Sequence, residues 1–347
     1  MIRILIVDDS TTEVEILKAI LRPEKDFEVV GVAKDGKQAI EMTQLLKPDL
    51  ITMDIIMPGM SGFEAINMIM RQCPTPIVVI TSTISDESMR TSFQALEAGA
   101  VSVLEKPYDI AMPEFQQEKR KIIDTLRSMS QVKVIKRRFY TERKPKPAPV
   151  SINKAELKQY EIIAMGASVG GPQALKTILK DLPANFPLPI VVVQHMTAGF
   201  VEGFASWLHD ASPLHIKTAE NNEVLLKGNV YFAPDGTHLE VARSGQKLIA
   251  KLVSGEAVSG FCPSVTSLFD SVANVVGKNA IGVLLTGMGN DGAKGMLDLK
   301  NVHAHTIIQD EESAVVFGMA GVALSLNAVD KVIALDQIAE YLKKLTM

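Results

Sequence analysis

Cysteine is scarce in this sequence, and its scarcity excludes two kinds of protein. The 347 residues include only two cysteines, Cys73 and Cys262, which lie far apart in the chain. Two such residues do not form a disulfide framework, and neither belongs to a CxxC pair or to a cluster with histidine that would hold zinc. We therefore expect a protein of a reducing compartment, the cytoplasm.

Long hydrophobic runs and a surplus of one charge are also missing. The longest apolar runs, such as residues 190–193 and 281–285, are far too short to span a bilayer. The initial MIRILIVDD ends in two aspartates, which a secretory signal would not tolerate. The 36 basic and 40 acidic residues nearly balance, which argues against nucleic acid as a partner. We expect neither membrane insertion nor nucleic-acid binding.

The sequence does contain a repeated alternation of short β-branched runs and longer helical segments. Five such runs in the first third predict an α/β domain with a doubly wound, flavodoxin-like, five-stranded parallel sheet. These runs are residues 2–7, 29–33, 50–53, 77–80 and 101–104.

The same alternation resumes from about residue 157 and predicts a second, Rossmann-like α/β domain. Its strand-like runs are residues 161–165, 189–194, 280–286, 305–309 and 331–335. Four more short runs, separated by glycine, asparagine and aspartate, predict an antiparallel hairpin insertion. These are residues 215–219, 229–233, 238–241 and 247–253.

A basic segment with several prolines separates the two halves. It buries little surface and favours an extended chain, so we predict a linker. A patch for nucleic acid or an acidic partner is the alternative, and a solvated tether is favoured over it. The predicted domains are therefore residues 1–129 and 157–347, joined by a linker at 130–156.

Acidic residues follow the first and third predicted strands of the amino-terminal domain. Asp8 and Asp9 end the first strand and Asp54 ends the third, and the carboxyl ends of parallel strands meet in one crevice. Three carboxylates there favour Mg²⁺, which takes oxygen ligands. Thr81 and Lys106 end the next two strands and would surround a phosphoryl group on Asp54. Aspartates that merely cap helices are the alternative, which five polar residues at four strand ends disfavour.

These residues resemble the receiver domain of response regulators over about residues 1–125. The resemblance rests on VDDS, MDIIMPGMSG around Asp54, Thr81-Ser82 and Lys106-Pro107. It implies that Asp54 accepts the phosphoryl group, and that Asp9 binds Mg²⁺ directly and Asp8 through water. The backbone carbonyl of Ile56 would be a further metal ligand.

The same resemblance implies that Thr81 and Lys106 contact the phosphoryl group. Val103 stands where many receivers carry an aromatic residue that changes rotamer on phosphorylation. We therefore expect the switch to run through Thr81 and backbone movement.

Three chemistry-bearing residues follow strands of the carboxyl-terminal domain. Ser168 lies in the glycine-rich turn GASVGGP, His195 directly follows a buried strand, and Asp291 lies in TGMGNDG. At neighbouring strand ends they can converge as nucleophile, base and orienting group. A helix that begins after the turn favours negative charge developing near Ser168. Each residue alone is weak support, because serine in such a turn is commonly structural.

A dinucleotide-binding loop is the competing interpretation of the last segment. Gly287, Gly289 and Gly292 match GxGxxG between a strand and a helix, with Asp310 ending the next strand. Asp291 would lie inside the phosphate-binding turn, where its carboxylate opposes a pyrophosphate. The triad is therefore favoured.

The carboxyl-terminal motifs resemble the chemotaxis receptor methylesterase family over about residues 158–345. The resemblance rests on GASVGG, QHM, NVYFAPDGTHLEV, PSVTSLFDSVA, TGMGNDGAKGM and QDEESAVVFGMA. It implies Ser168 as nucleophile, His195 as general base and acid, and Asp291 as the group that orients His195. The backbone amide of Met288 would donate to the oxyanion.

This resemblance also implies partners and cofactors. The substrates would be glutamate methyl esters on the cytoplasmic helical bundle of chemoreceptors, with deamidation of glutamine as a second activity. A chemotaxis histidine kinase would be the phosphodonor that activates the enzyme. Mg²⁺ would serve the receiver alone, and the ester reaction would need no cofactor.

Several positions near the predicted site depart from that family's pattern. Val169 stands where threonine is common, Phe261-Cys262 where a His-Arg pair is common, and Ala320 where proline is common. These departures leave a second hypothesis, a phosphorylation-controlled interaction module whose esterase domain has decayed. The intact triad favours the enzyme.

Overall fold

The computed structural model of the chain describes residues 1–81, 86–107, 115–132, 134 and 159–346, without the side chains of 86–90 and 117. The chain divides into two compact units, Met1–Arg143 and Lys144–Met347. The linker predicted at 130–156 lies almost entirely outside the described residues, as does Ser82. The predicted domain boundaries therefore remain predictions.

The amino-terminal unit alternates strands with helices. Its strands are β1 Ile2–Val7, β2 Phe27–Ala33, β3 Leu50–Met53, β4 Ile77–Thr81 and β5 Ser102–Glu105. Its helices are α1 Thr11–Leu21, α2 Gly36–Leu46, α3 Gly62–Gln72, α4 Asp86–Ala98 and α5 Phe115–Met129. The strands pair in parallel in the order β2-β1-β3-β4-β5, which confirms the flavodoxin-like prediction. The order reverses between β1 and β3, so a crevice opens at their carboxyl ends.

Local capping explains where several of these helices begin. The hydroxyl of Ser61 accepts a hydrogen bond from the backbone N–H of Glu64, whose carboxylate in turn accepts from the backbone N–H of Ser61. Ser10 and Asp35 cap α1 and α2 through single side-chain hydrogen bonds. Each such cap contributes about 1 kcal/mol to the stability of its helix. Because α1 and α3 begin close after β1 and β3, their caps hold the loops that carry the acidic residues.

The carboxyl-terminal unit is built on a larger sheet. Its strands are β6 Ile162–Ala167, β7 Ile190–Gln194, β8 His215–Thr218, β9 Asn229–Phe232, β10 His238–Ser244, β11 Lys247–Val253, β12 Ala280–Leu284, β13 His305–Gln309 and β14 Lys331–Ile333. Its helices are α6 Gly171–Leu179, α7 Val201–Asp210, α8 Val265–Val275, α9 Ala293–Asn301, α10 Met319–Ser325 and α11 Leu335–Thr346. A seven-stranded parallel sheet runs β14-β13-β12-β6-β7-β9-β8, and β10 and β11 form a separate antiparallel pair. The predicted α/β class with a hairpin insertion is confirmed.

The predicted extent of the antiparallel insertion was wrong. The first two of the four short strands, β8 and β9, pair in parallel with each other, and β9 continues the main sheet beside β7. Of these four strands, only β10 and β11 pair in the antiparallel sense. Ten residues separate β8 from β9. That is far more than the two to five or so of a hairpin loop, and it reaches the lower limit of about 10–12 residues for a crossover between parallel strands.

One hydrophobic core joins the large sheet, the hairpin and α8. Buried side chains from Val241, Ala250, Leu268, Phe269 and Leu284 all belong to it. Full burial of each large aliphatic or aromatic side chain contributes about 1.5–3 kcal/mol. The segment at residues 254–264 is therefore anchored at both ends, by the hairpin and by α8. None of the helices that the structure describes is long and apolar enough to cross a membrane.

Candidate functional site

The three acidic residues of the amino-terminal unit lie together. One carboxylate oxygen from each of Asp8, Asp9 and Asp54 lies within 4.8 Å of the other two. Asp8 and Asp54 are buried at the ends of β1 and β3, whereas Asp9 is exposed to solvent. Three oxygen donors at this spacing, with one open side, fit a hard divalent cation such as Mg²⁺. The backbone N–H of Ile56 donates to Oδ1 of Asp54 over 3.3 Å, so this loop closes on the same pocket.

Lys106 links two of these carboxylates. Its Nζ lies 2.8 Å from an oxygen of Asp8 and 2.8 Å from Oδ2 of Asp54. Burial alone would lower the pKa of Lys106, but its bonds to the two carboxylates raise it. Burial raises the pKa of the Asp54 carboxyl, and the bond from Lys106 opposes that rise. Thr81 is buried at the end of β4, where its carbonyl accepts from the backbone N–H of Lys106.

In the carboxyl-terminal unit the sheet register brings Ser168 and His195 side by side. Ala167 of β6 and Gln194 of β7 are register partners in adjacent parallel strands. Ser168 and His195 are the next residue on each strand, and the backbone N–H of His195 donates to the carbonyl of Ala167 over 2.9 Å. Ser168 and His195, 27 residues apart in the chain, therefore lie side by side at the carboxyl edge of the sheet.

The side chain of Gln194 clamps the two strand ends together. Its Nε2 donates to the carbonyl of Ser168 over 2.9 Å and to the carbonyl of His195 over 2.7 Å. A Cβ on Gly171 would lie 1.9 Å from Oε1 of Gln194, so only glycine fits there. Gly170 has φ 77°, which favours glycine again. Gln194 belongs to the QHM motif, but its clamping role depends on the pairing of β6 with β7 and cannot be predicted from the motif alone.

Asp291 reaches this point from the loop after β12. Its Oδ2 lies 2.9 Å from Nε2 of His195. The other donors to its carboxylate are the hydroxyl of Ser264 and the backbone N–H groups of Val265, Thr266 and Gly292, at 2.8 to 3.0 Å. Asp291 is fully buried. Burial alone would raise its pKa, but hydrogen bonds from His195, Thr266 and Ser264 outweigh it and lower the pKa to about 2.

This carboxylate determines which nitrogen of His195 carries the proton. An ionised Asp291 can only accept, so a neutral His195 holds its proton on Nε2. Its Nδ1 is then an acceptor. That atom is buried and has no hydrogen-bond partner among the described residues. A histidine poised in this way can take a proton from a neighbouring hydroxyl, which is what a serine nucleophile requires.

Two models of known protein families match this chain. Residues 163–342 match the family model described as CheB methylesterase, and residues 4–113 match the response regulator receiver domain. The chain belongs to the CheB methylesterase family.

Similar proteins in the family align along nearly the whole chain. A protein-glutamate methylesterase/protein-glutamine glutaminase of Syntrophus aciditrophicus is 44% identical over 99% of this chain and 98% of its own length. A protein of the same description from Myxococcus xanthus is 44% identical over 98% of this chain and 96% of its own. The crystal structure of the Thermotoga maritima CheB methylesterase catalytic domain superposes with a TM-score of 0.53, at 37% identity, over 54% of this chain and 100% of that domain.

A second serine and histidine near Asp291 do not form a competing site. Ser264 is fully buried, and its hydroxyl donates to Asp291 and caps α8 by accepting from the backbone N–H of Ser267. Nδ1 of His238 accepts from the backbone N–H of Ser264, so its Nε2 donates to the carbonyl of Glu256. Both nitrogens of His238 are thus occupied by the backbone, whereas Nδ1 of His195 has no hydrogen-bond partner among the residues that the structure describes. Ser264 escaped sequence reasoning because only the fold brings it to Asp291.

The segment after β12 also lies against Ser168. A Cβ on Gly287 would lie 2.8 Å from Cβ of Ser168 and 2.3 Å from Sδ of Met319. The backbone amide of Met288, which follows Gly287 directly, therefore lies close to the serine. The loop is not arranged for a pyrophosphate, because the backbone N–H of Gly292 already donates to Asp291 and to the hydroxyl of Thr266. A dinucleotide-binding loop would need this N–H to bind the pyrophosphate, so the dinucleotide interpretation is not supported.

Proposed function

We propose that this chain is a protein-glutamate methylesterase and protein-glutamine glutaminase whose activity is raised by phosphorylation of its receiver. One observation carries the enzymatic part of the proposal. Nε2 of His195 is held by Asp291 while its buried Nδ1 has no partner among the residues that the structure describes. That is the arrangement a serine hydrolase needs before substrate binds.

The reaction follows from the roles that these groups can play. Oγ of Ser168 attacks the ester carbonyl carbon, and its proton passes to Nδ1 of His195. The oxyanion is stabilised by backbone amides, of which Met288 supplies one. His195 then protonates the departing oxygen and methanol leaves. Water, deprotonated by His195, hydrolyses the acyl-serine to a glutamate carboxylate and restores Ser168.

The glutaminase activity uses the same groups. A glutamine side chain presents an amide where the ester stood, so ammonia leaves in place of methanol and the same acyl-serine forms. Asp291 stays ionised throughout, because its five donors hold the negative charge. It stabilises the imidazolium that forms on His195 and keeps the ring in its working tautomer.

The receiver supplies control. Asp54 accepts a phosphoryl group from a chemotaxis histidine kinase, with Lys106 and Thr81 contacting the phosphoryl oxygens. Asp8, Asp9, Asp54 and the backbone carbonyl of Ile56 would hold Mg²⁺, which neutralises charge on the phosphoryl group when it is bound. Mg²⁺ has no part in the ester reaction. The domains extend over residues 1–129 and 157–347, with a linker at 130–156.

The substrate is the cytoplasmic helical bundle of a chemoreceptor, and the protein acts in the cytoplasm. Support for the reaction comes from relatives that align over nearly the whole chain and are named protein-glutamate methylesterase/protein-glutamine glutaminase. Neither membrane insertion nor nucleic-acid binding enters the proposal.

Release of methanol from membranes that carry methylated chemoreceptors tests the proposal. We expect the wild-type protein to release methanol and Ser168→Ala, folded normally, to lose activity by about 10³-fold or more. Full activity in Ser168→Ala would overturn the assignment of the nucleophile. If a folded wild-type protein with phosphorylated Asp54 released no methanol, the chain would instead be an interaction module with a decayed esterase domain.

A further inference from the structure

The ring of Phe261 lies flat against the imidazole of His195. The two ring centroids are 3.8 Å apart and the ring planes differ by only 5°. Rings this close and this parallel are in van der Waals contact across their faces. Asp291 holds one edge of the imidazole, and Phe261 covers one of its faces. The side chain of His195 is only 7% exposed as a result of such contacts.

A short backbone hairpin delivers Phe261 to this position. The backbone N–H of Val258 donates to the carbonyl of Phe261 over 3.0 Å, and the N–H of Phe261 donates back to Val258 over 3.0 Å. The two residues between them, Ser259 and Gly260, have φ of 54° and 85°. Positive φ at both central positions is typical of the tight two-residue turn that joins antiparallel strands. Three residues after Phe261, Ser264 caps α8 and donates to Asp291.

The stack addresses a weakness in the triad geometry. Among the described residues, the side chain of His195 is held by one hydrogen bond, at Nε2. One such bond lets the imidazole rock about that contact, and rocking turns the Nδ1 lone pair away from the direction of an incoming proton. The lone pair lies in the ring plane, so a contact that fixes the plane also fixes the direction from which a proton can arrive. A flat ring against the imidazole face does this and excludes water from that face.

We propose that Phe261 is a positioning residue for the ester reaction, and that its ring holds His195 in the plane where Nδ1 meets the hydroxyl proton of Ser168. This proposal rests on the proposed function. It concerns the shape of the side chain, because a planar ring fixes a plane and an aliphatic group of similar volume does not.

Three variants separate planarity from bulk. Phe261→Tyr and Phe261→His keep a planar ring, and we expect their kcat to stay within about twofold of wild type. Phe261→Leu keeps an apolar side chain without a plane, and we expect kcat to fall about tenfold with KM changed less than about twofold. Val258→Ala is the matched control, because it shortens a side chain of the same hairpin while the backbone pair remains. Its kcat and KM should equal those of wild type.

The measurements are made on the full chain. Methanol release at varied concentrations of methylated receptor gives kcat and KM, thermal unfolding verifies the fold, and the rate at which a fluorophosphonate labels Ser168 reports activation of the serine without receptor. Labelling should slow about tenfold in Phe261→Leu and stay near wild type in Phe261→Tyr and Phe261→His.

Four results would overturn the proposal. Wild-type kcat and labelling in Phe261→Leu would show that the ring does not position His195. Equal losses in all three variants would show that planarity is irrelevant. A rise in KM alone would make Phe261 a substrate contact, and a loss in Val258→Ala would assign the effect to the hairpin. If wild type releases no methanol but labelling of Ser168 still follows this order, the proposed function fails and the positioning role stands.

Discussion

Asp291→Asn is the substitution that tests the proposed site most sharply. The oxygen Oδ1 of Asp291 accepts from Ser264, Thr266 and Gly292, whereas Oδ2 accepts from His195 and Val265. The asparagine amide keeps its oxygen toward the three donors and turns its NH₂ toward the other two. The buried N–H of Val265 then faces another donor. His195 can satisfy the new NH₂ only by accepting at Nε2, which moves its own proton to Nδ1.

Two magnitudes follow from these contacts. An unsatisfied buried N–H costs about 1–3 kcal/mol. The lowering of the pKa of Asp291 from 3.8 to about 2 corresponds to about 2 kcal/mol of stability at neutral pH. Together we expect the free energy of unfolding to fall by about 3–5 kcal/mol. Activity should fall by up to about 10⁴-fold, because Nδ1 is now protonated and cannot accept the serine proton. The loss should be smaller than in Ser168→Ala, because the nucleophile and the oxyanion donors remain.

The pH dependence of stability carries a separate signature. Because the folded-state pKa of Asp291 is depressed, its contribution is complete above the unfolded value of 3.8 and is lost as pH falls through about 2. The wild-type protein should therefore lose this increment in that window, and Asp291→Asn should not. The gap between the two unfolding free energies is expected to be constant near neutral pH and to narrow below about pH 4.

Urea unfolding and methanol release measure these two effects. Ser264→Ala is the control, because it removes one donor to Asp291 and the cap of α8 but leaves the contact between Asp291 and His195. It should lose about 2 kcal/mol of stability and only a few-fold in activity. Wild-type activity in a folded Asp291→Asn, or equal activity losses in the two variants, would refute the tautomer argument.

Three further predictions concern the glycine beside the serine, the receiver and its control of the esterase. Gly287→Ala should lower activity at least about tenfold, because the new Cβ would meet Ser168. Gly282→Ala is the control: its Cβ would meet the side chains of Leu299 and Met296, so it should change stability alone. Equal kcat in the two variants would contradict a role for Gly287 beside Ser168. Asp54 should take phosphate from acetyl phosphate only with Mg²⁺, and stoichiometric labelling of Asp54→Asn would identify a different acceptor. A fragment that begins at Ser151 should be more active than the unphosphorylated full chain. Phosphorylation should raise the activity of the full chain by about 5–150-fold and leave that of the fragment unchanged. A folded fragment no faster than the unphosphorylated full chain would show that the receiver does not restrain the esterase.

Much of the fold was predictable because its signals are local. The β-branched runs at Ile2–Val7, Leu50–Met53 and His305–Gln309 are strands with those bounds, since strands buried on both faces read as continuous apolar runs. Functional residues placed directly after such runs inherit a common edge of the sheet. That rule brought Asp8 and Asp54 together, and Ser168 and His195, from sequence alone.

Tertiary structure decided what depends on contacts between distant segments. The parallel pairing of β8 with β9 follows from packing beside β7, which turn residues do not encode. The donors that hold Asp291 ionised come from the start of α8, about 25 residues earlier in the chain. The stack of Phe261 on His195 joins residues 66 apart. The sequence determined which groups lie at the site. Long-range packing decided the tautomer and orientation of His195 and the charge of Asp291.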